Sequence, residues 1–203
     1  MVASGSKGFL ALWLLASFSA LPACGAERGT SLQGRKALFI IAPKSFRDEE
    51  LQVPTAALKA KGCQVTVASL TTDVATGMLG ARVKPDIALD EARPANYDLV
   101  VFVGGVGAKV YFDHPRAHAI AREAAAAGKL LGAICIAPSV LARAGLLKGK
   151  TATAWPSQRR DLVANGARWD EGPAVRDGKI ITANGPKAAR RFADLLVEAL
   201  GGK

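Results

Sequence analysis

The sequence predicts an α/β fold, a three-layer α/β/α sandwich on a mostly parallel sheet with one small β-hairpin insertion. Three observations lead there. From Lys36 onward, short β-branched runs alternate with amphipathic helical stretches, and strand-helix-strand order makes neighbouring strands parallel and puts helices on both faces of the sheet. Glycine follows each helical stretch, at Gly62, Gly128, Gly145, Gly166 and Gly201, where helices commonly stop. The 203 residues contain no linker-like stretch after the N-terminal region and no internal repeat, so a single domain with a substantial core is expected.

Taken in order, "KALFIIA" at 36–42 reads as the first strand, a helix follows near 47–61, and "QVTVAS" at 64–69 is the second strand. The turn-rich, weakly alternating "TGMLGARVKPDIALD" at 76–90 fits the hairpin insertion. Next come a strand in "YDLVVFVGG" at 97–105, a helix at 114–128, a strand at 130–135, a helix at 137–145 and a strand at 151–155. Near the end, Asp177-Gly178 separates two apolar runs, the dipeptide best suited to a tight hairpin turn. The final helical stretch carries Phe192, Leu195, Leu196 and Leu200 on one face, which packs back on the sheet.

The first residues differ in kind. A lone Lys7 precedes the apolar run from Phe9 to Leu21, and no acid occurs before Glu27. That pattern is an export signal whose apolar core is too short for an ordinary membrane-spanning helix. The run ends in "LPACGA", which resembles the lipobox of bacterial lipoproteins. The resemblance implies a signal peptide over 1–23, cleavage before Cys24, lipid on Cys24 and attachment to the periplasmic face of a membrane. Gly25, with no Asp there, favours the outer membrane of a Gram-negative cell. A plain secretory signal cut after Ala23 or Ala26, giving a soluble periplasmic or secreted protein, and an uncleaved segment remain open. Residues 24–35 are polar and glycine-rich and suit a flexible tether, leaving 36–203 as the domain.

The formal charge is +10, and removal of the segment carrying Lys7 lowers it by one. The remaining bases are spread along the chain without interleaved aromatics; "SQRR" at 157–160 and "KAARR" at 187–191 read as solvated helix faces. This argues for solubility or attraction to anionic surfaces and against a nucleic-acid groove. With Cys24 assigned to lipid, Cys63 and Cys135 remain in an oxidising compartment, where a disulfide must be considered. Cys63 opens a strand and Cys135 ends one, at opposite edges of a parallel sheet and too far apart to bridge. Cys63 is therefore expected to be a core thiol and Cys135 free.

Ligand crevices in open α/β sheets lie outside the carboxyl ends of the strands, and three stretches converge there. Cys135 ends an apolar strand just before Ala137-Pro138 opens a helix. A thiol at such an elbow faces unpaired N–H groups, which are expected to lower its pKa; alone, a cysteine in that setting also fits the core. "FVGGVGA" at 102–108 breaks a strand into glycines whose N–H groups can support an oxyanion, or simply makes a tight turn, and it lacks the GxGxxG spacing of a dinucleotide site. "FRDEEL" at 46–51 starts the first helix with three acids, which can serve as caps or point inward.

Together, "FRDEELQVP", "LVVFVGGVGA", "GAICIAP", "AGLLKGKTAT" and "GKIITANGP" resemble the DJ-1/PfpI family in the family's order, from about Lys36 to Leu200. The resemblance implies a flavodoxin-like sheet in the glutamine-amidotransferase-like superfamily. It also implies Cys135 as nucleophile, Glu50 as its acid partner and the amides of Gly105 and Ile136 as oxyanion donors, with Gly104 and Trp155 in the cleft. Members with peptidase-like activity carry a histidine after the cysteine; here that residue is Ile136, so the Cys-His pair that activates acyl transfer is missing. Some members have a histidine where Trp155 stands. His114 is a candidate for the cleft mouth, and His118 for the helix surface. The resemblance to cofactor-free glyoxalases of the family implies a glyoxalase- or deglycase-type reaction on a small reactive carbonyl such as methylglyoxal, without cofactor or metal. A redox-sensing or chaperone-like stress protein using Cys135 oxidation, and a non-catalytic ligand-binding lipoprotein, are the alternatives. The resemblance favours a homodimer; no acid follows "GGVGA", where hexameric members carry one at an interface.

Overall fold

Thirteen-residue and shorter helices alternate with strands of two to six residues in the computed structural model, which describes residues 1–3 and 30–202. The export signal, Cys24 and the first part of the expected tether lie outside the described residues. In chain order the elements are β1 (Lys36–Ile40), β2 (Lys44–Phe46), α1 (Asp48–Ala60), β3 (Gln64–Ser69), β4 (Ala75–Gly77), β5 (Arg82–Val83), β6 (Ile87–Ala88) and β7 (Leu99–Phe102). They continue with α2 (Pro115–Ala126), β8 (Leu130–Ile134), α3 (Pro138–Arg143), β9 (Thr151–Ala152), α4 (Arg159–Ala164), β10 (Arg168–Trp169), β11 (Ala174–Asp177), β12 (Ile180–Ala183) and α5 (Ala189–Leu200).

The main sheet has seven strands in the order β11-β12-β8-β7-β1-β3-β6, all parallel except β11, which forms the Asp177-Gly178 hairpin with β12. β7 and β8 are buried along their whole length, as strands covered on both faces must be. The crossover β1-α1-β3 runs in one direction along the sheet and β7-α2-β8 in the other. Right-handed crossovers therefore place α1 and α2 on opposite faces; α5 packs with α1 and α3 with α2. Gly132 in β8 sets how closely α5 approaches, since a Cβ there would lie 3.0 Å from Phe192 Cζ and 3.2 Å from Leu196 Cδ2.

Three expectations need correction. The 151–155 stretch does not join the main sheet: β9 pairs with β10 in a separate two-stranded ladder, because Trp155 turns away to close the elbow at Cys135. The insertion is a hairpin of β4 and β5, but β4 also pairs in parallel with β2, a short strand the sequence did not reveal, and β6 returns to the edge of the main sheet. Leu32, expected within the tether, is instead part of the packed domain: it is fully buried and its N–H donates to Lys61 O at 2.7 Å. The buried apolar side chains of the core run from Leu32 to Leu200. Cys63 is buried and free, and burial pushes its thiol up to about 11.

Gly132→Val should push α5 from the sheet and lower stability by about 1–3 kcal/mol, read as a lower urea midpoint. An unchanged midpoint would show that α5 is not seated on this strand.

Candidate functional site

The sheet reverses its winding between β1 and β7, and the crevice at that switch point collects four connections. The turn after β1 leads through β2 to Glu50 in the first turn of α1; Gly104 and Gly105 follow β7, Cys135 follows β8, and Pro186 follows β12. Arg47 N–H donates to Gly104 O at 3.0 Å, tying the first two connections together. Gly105 has φ 93°, and a Cβ there would lie 2.5 Å from Ser45 O, so only glycine admits this approach.

Cys135 has φ 63°, a left-handed conformation that costs a residue with a side chain about 1–3 kcal/mol. The conformation is held from both sides: Cys135 N–H donates to Ala183 O at 2.9 Å, and Trp155 N–H donates to Cys135 O at 2.8 Å. Its sulfur faces the Glu50 carboxyl and lies where the backbone amides of Gly105 and Ile136 favour its charged form. The surrounding cavity, about 200 Å³, is lined by Arg47, Met78, Gly105, Val106, Cys135, Ile136, Trp155 and Pro186. It suits a molecule of few heavy atoms.

Glu50 is completely buried. Its Oε2 accepts from Gly104 N–H at 3.1 Å, and Oε1 has no hydrogen-bond partner. An atom at the Cβ position of Gly104 would lie 2.5 Å from both Glu50 Oε2 and Cys135 Cβ, so a missing side chain lets carboxyl and thiol meet. Burial pushes the Glu50 carboxyl up to about 8, against the opposing pull of the Cys135 thiol, the Gly104 amide and Arg47. The expected fall in the Cys135 pKa does not occur. Burial and then the Glu50 charge push the thiol up to about 12, against the Gly105 and Ile136 amides. The helix beyond it, α3, is only six residues long, too short to outweigh those two causes. Two adjacent negative charges oppose each other, so the pair gives up its protons one at a time, the first from Glu50 near pH 8 and the second far above it. A protonated Glu50 removes the charge that opposes thiolate formation at Cys135.

The structure thus brings together Cys135, Glu50, Gly104, Gly105, Ile136 and Trp155, but not His114. His114 Nδ1 instead accepts from Ala117 N–H at 3.4 Å and caps α2, its ring edge-on to Tyr111 at 6.1 Å. His118 Nε2 lies 2.7 Å from Phe112 O. Among the described residues no group of three or more His, Cys, Asp or Glu could hold a metal ion. Sequence reasoning missed Arg47, which pairs with Glu49 at 2.8 Å, and Met78, which comes from the insertion and carries no local signal. It also passed over Asp48, read as a cap. Asp48 is 4% exposed and accepts from Leu79 N–H at 2.9 Å and Ala81 N–H at 2.8 Å, latching the hairpin that carries Met78 to the start of α1.

A parallel α/β sheet with a strained cysteine elbow, a buried acid beside the sulfur and a glycine turn over both defines a class of cysteine-centred α/β proteins. The DJ-1/PfpI family model matches residues 35–199, and the chain belongs to that family. It is 37% identical over 177 residues to an uncharacterised protein of Methanocaldococcus jannaschii, covering 86% of each chain. It is 35% identical to the deglycase PfpI of Pyrococcus furiosus over 74% of this chain and 90% of that one. To the glutathione-independent glyoxalase DJR-1.2 of Caenorhabditis elegans it is 28% identical over 83% and 90%. The crystal structure of a ThiJ/PfpI domain protein from Brachyspira murdochii superposes with a TM-score of 0.81 at 26% identity, covering 86% of this chain and 99% of that one.

Because the folded-state pKa of Glu50 is raised from 4.5 to about 8, the unfolded chain releases this proton first. The stability of the protonated carboxyl is complete below pH about 4.5 and lost progressively towards pH about 8. Glu50→Gln should therefore raise Tm by several degrees at pH 8 and by much less at pH 4.5. Equal Tm differences at both pH values would show that Glu50 is not held protonated.

Proposed function

We propose that this protein is a cofactor-free enzyme that converts a small α-oxoaldehyde such as methylglyoxal to its hydroxy acid, with Cys135 as nucleophile and Glu50 as proton shuttle. The observation that carries it is the buried Glu50 carboxyl, pushed up to about 8 beside a cysteine in a left-handed elbow. A general acid-base group works best with a pKa near the operating pH. The deglycase and glyoxalase names of relatives support the reading, as does the absence of a histidine after Cys135.

The Cys135 thiolate adds to the aldehyde carbon while Glu50 gives its proton to the aldehyde oxygen, forming a hemithioacetal. The Glu50 carboxylate then removes the proton from that carbon, and the electron pair moves to the neighbouring carbonyl oxygen as an enediolate. Glu50 returns the proton to the second carbon, the hydroxyl proton of the first moves to the enediolate oxygen, and a thioester of the hydroxy acid results. Water hydrolyses it, releasing the hydroxy acid and restoring the shared proton. Gly105 and Ile136 amides stabilise negative charge at the sulfur and on the adduct. The small cavity and the rim formed by Trp155 and Met78 select short substrates.

The acting protein is further proposed to be exported and held on a membrane by lipid on Cys24, with the outer membrane favoured. The "LPACGA" sequence supports this. A homodimer is the proposed assembly, supported by the exposed apolar Leu79, Val106 and Val110 near the crevice mouth.

The chain from Gly25 onward should form lactate from methylglyoxal without glutathione or added metal, and Cys135→Ala and Glu50→Gln should each lose at least about a hundredfold in kcat/KM. No lactate from folded protein, with peroxide still oxidising Cys135, would replace this reading with a redox one. In a bacterial host, a fatty-acid probe should label the full-length chain, and Cys24→Ala should abolish the label. Label persisting in that variant would remove the anchor.

A further inference from the structure

We propose that the end of the sheet opposite the crevice is a docking surface for anionic phospholipid headgroups, and that the domain rests on its membrane through this face with the reaction crevice turned outward. For which bilayer is met, this rests on the anchoring of Cys24; the surface itself does not.

At the amino ends of β1, β7 and β8 lies a concave site of about 370 Å³ carrying Arg35, Lys129, Arg176 and Lys179, with Asp98 as its single acid. A neighbouring hollow of about 340 Å³ shares Lys129 and Lys179 and adds Lys150 and Asp177. The two acids are occupied, Asp98 by Arg35 at 3.3 Å and Asp177 by Lys150 at 3.0 Å. Lys129 has no ion pair among the described residues, and Lys179 donates only to the uncharged carbonyl of Gly128. Open, polyvalent and cationic, the face fits many phosphate groups spread on a plane better than one enclosed anion.

The path of the chain makes this face the one that meets a membrane. Thr30, the first residue described after the leader, lies against Gly201, where a Cβ would run into Thr30 Cγ2. Leu200 and Gly202, on either side of that glycine, line the basic site. The leader therefore joins the domain at the rim of the cationic face. Leu32 is pinned in the core, and the eight residue-to-residue steps from Cys24 to Leu32 can span no more than about 28 Å when fully extended. A lipid on Cys24 keeps this face close to the headgroups, while Cys135 and Glu50 stand at the carboxyl ends of the same strands.

The test uses the chain from Gly25 onward, which has the complete core and no lipid, so vesicle binding reports on the surface independently of acylation. Co-sedimentation is measured with vesicles of phosphatidylcholine alone and of phosphatidylcholine with phosphatidylglycerol. The expected result is binding to the anionic vesicles only, weakened by salt, and reduced about twenty-fivefold or more in Lys129→Glu/Lys179→Glu, at roughly fivefold per cation. Arg190→Glu/Arg191→Glu on the outer face of α5, with the same change in net charge, should bind nearly as well as the unaltered chain, and all variants should keep their melting temperature. Equal binding to neutral vesicles, equal loss in both double variants, or displacement by inorganic phosphate beyond that by sodium chloride at equal ionic strength would each overturn the proposal. The last outcome would assign a discrete anion site instead.

Discussion

The site depends on one constraint: a cysteine held in a left-handed conformation at the end of a buried strand. Ala183 accepts from its N–H and Trp155 donates to its carbonyl, so β12 and the segment after β9 fix the elbow from both sides. Released from these two hydrogen bonds, the residue would relax to extended or helical backbone and move its sulfur from the Gly105 and Ile136 amides. The parallel sheet is the frame that brings those partners to one edge.

Around that elbow, closeness is achieved by leaving atoms out. Gly104 has no side chain between the thiol and Glu50, Gly105 passes under the Ser45 carbonyl, and Gly77 leaves room for the Asp48 carboxylate. The opposite device acts on Glu50. Its Oε1 is left without a partner, which disfavours the charged form and keeps a proton beside the sulfur. Stability is given up to hold beside the thiol a carboxyl that is not firmly ionised.

The sequence showed the layers and the order of the main strands because their signals are local: β-branched runs, glycine stops and one Asp-Gly turn. Cys135, Gly105 and Glu50 were legible as a resemblance of motifs, and periodicity alone left Asp48, Glu49 and Glu50 equivalent. Burial sets Glu49 apart, and partners separate the other two, the Leu79 and Ala81 amides for Asp48 against the Gly104 amide and the Cys135 thiol for Glu50; both are properties of the assembled fold. The thiol was misjudged for the same reason: a helix start is visible in a sequence, whereas the desolvation that outweighs it is not. His114 looked available because cleft and helix cap are equally compatible with "YFDHP"; the bond from Ala117 decides for the cap. β2, three residues long, is too short to leave a periodic trace, and of the strand expected over 151–155 only the two residues of β9 pair.

The hairpin carrying Met78 is fastened by backbone pairing to β2, with Met78 N–H donating to Phe46 O at 2.8 Å, and by the Asp48 side chain through the amides of Leu79 and Ala81. Backbone amides are indifferent to the identity of the residues that bear them. The cavity wall and the chemical floor are thus modular: residues 78 and 79 can vary in size and polarity without loosening the clasp or touching the sulfur. Divergence in what the crevice admits has a route here that leaves Cys135 and Glu50 unchanged, and successive variants along it can each remain folded.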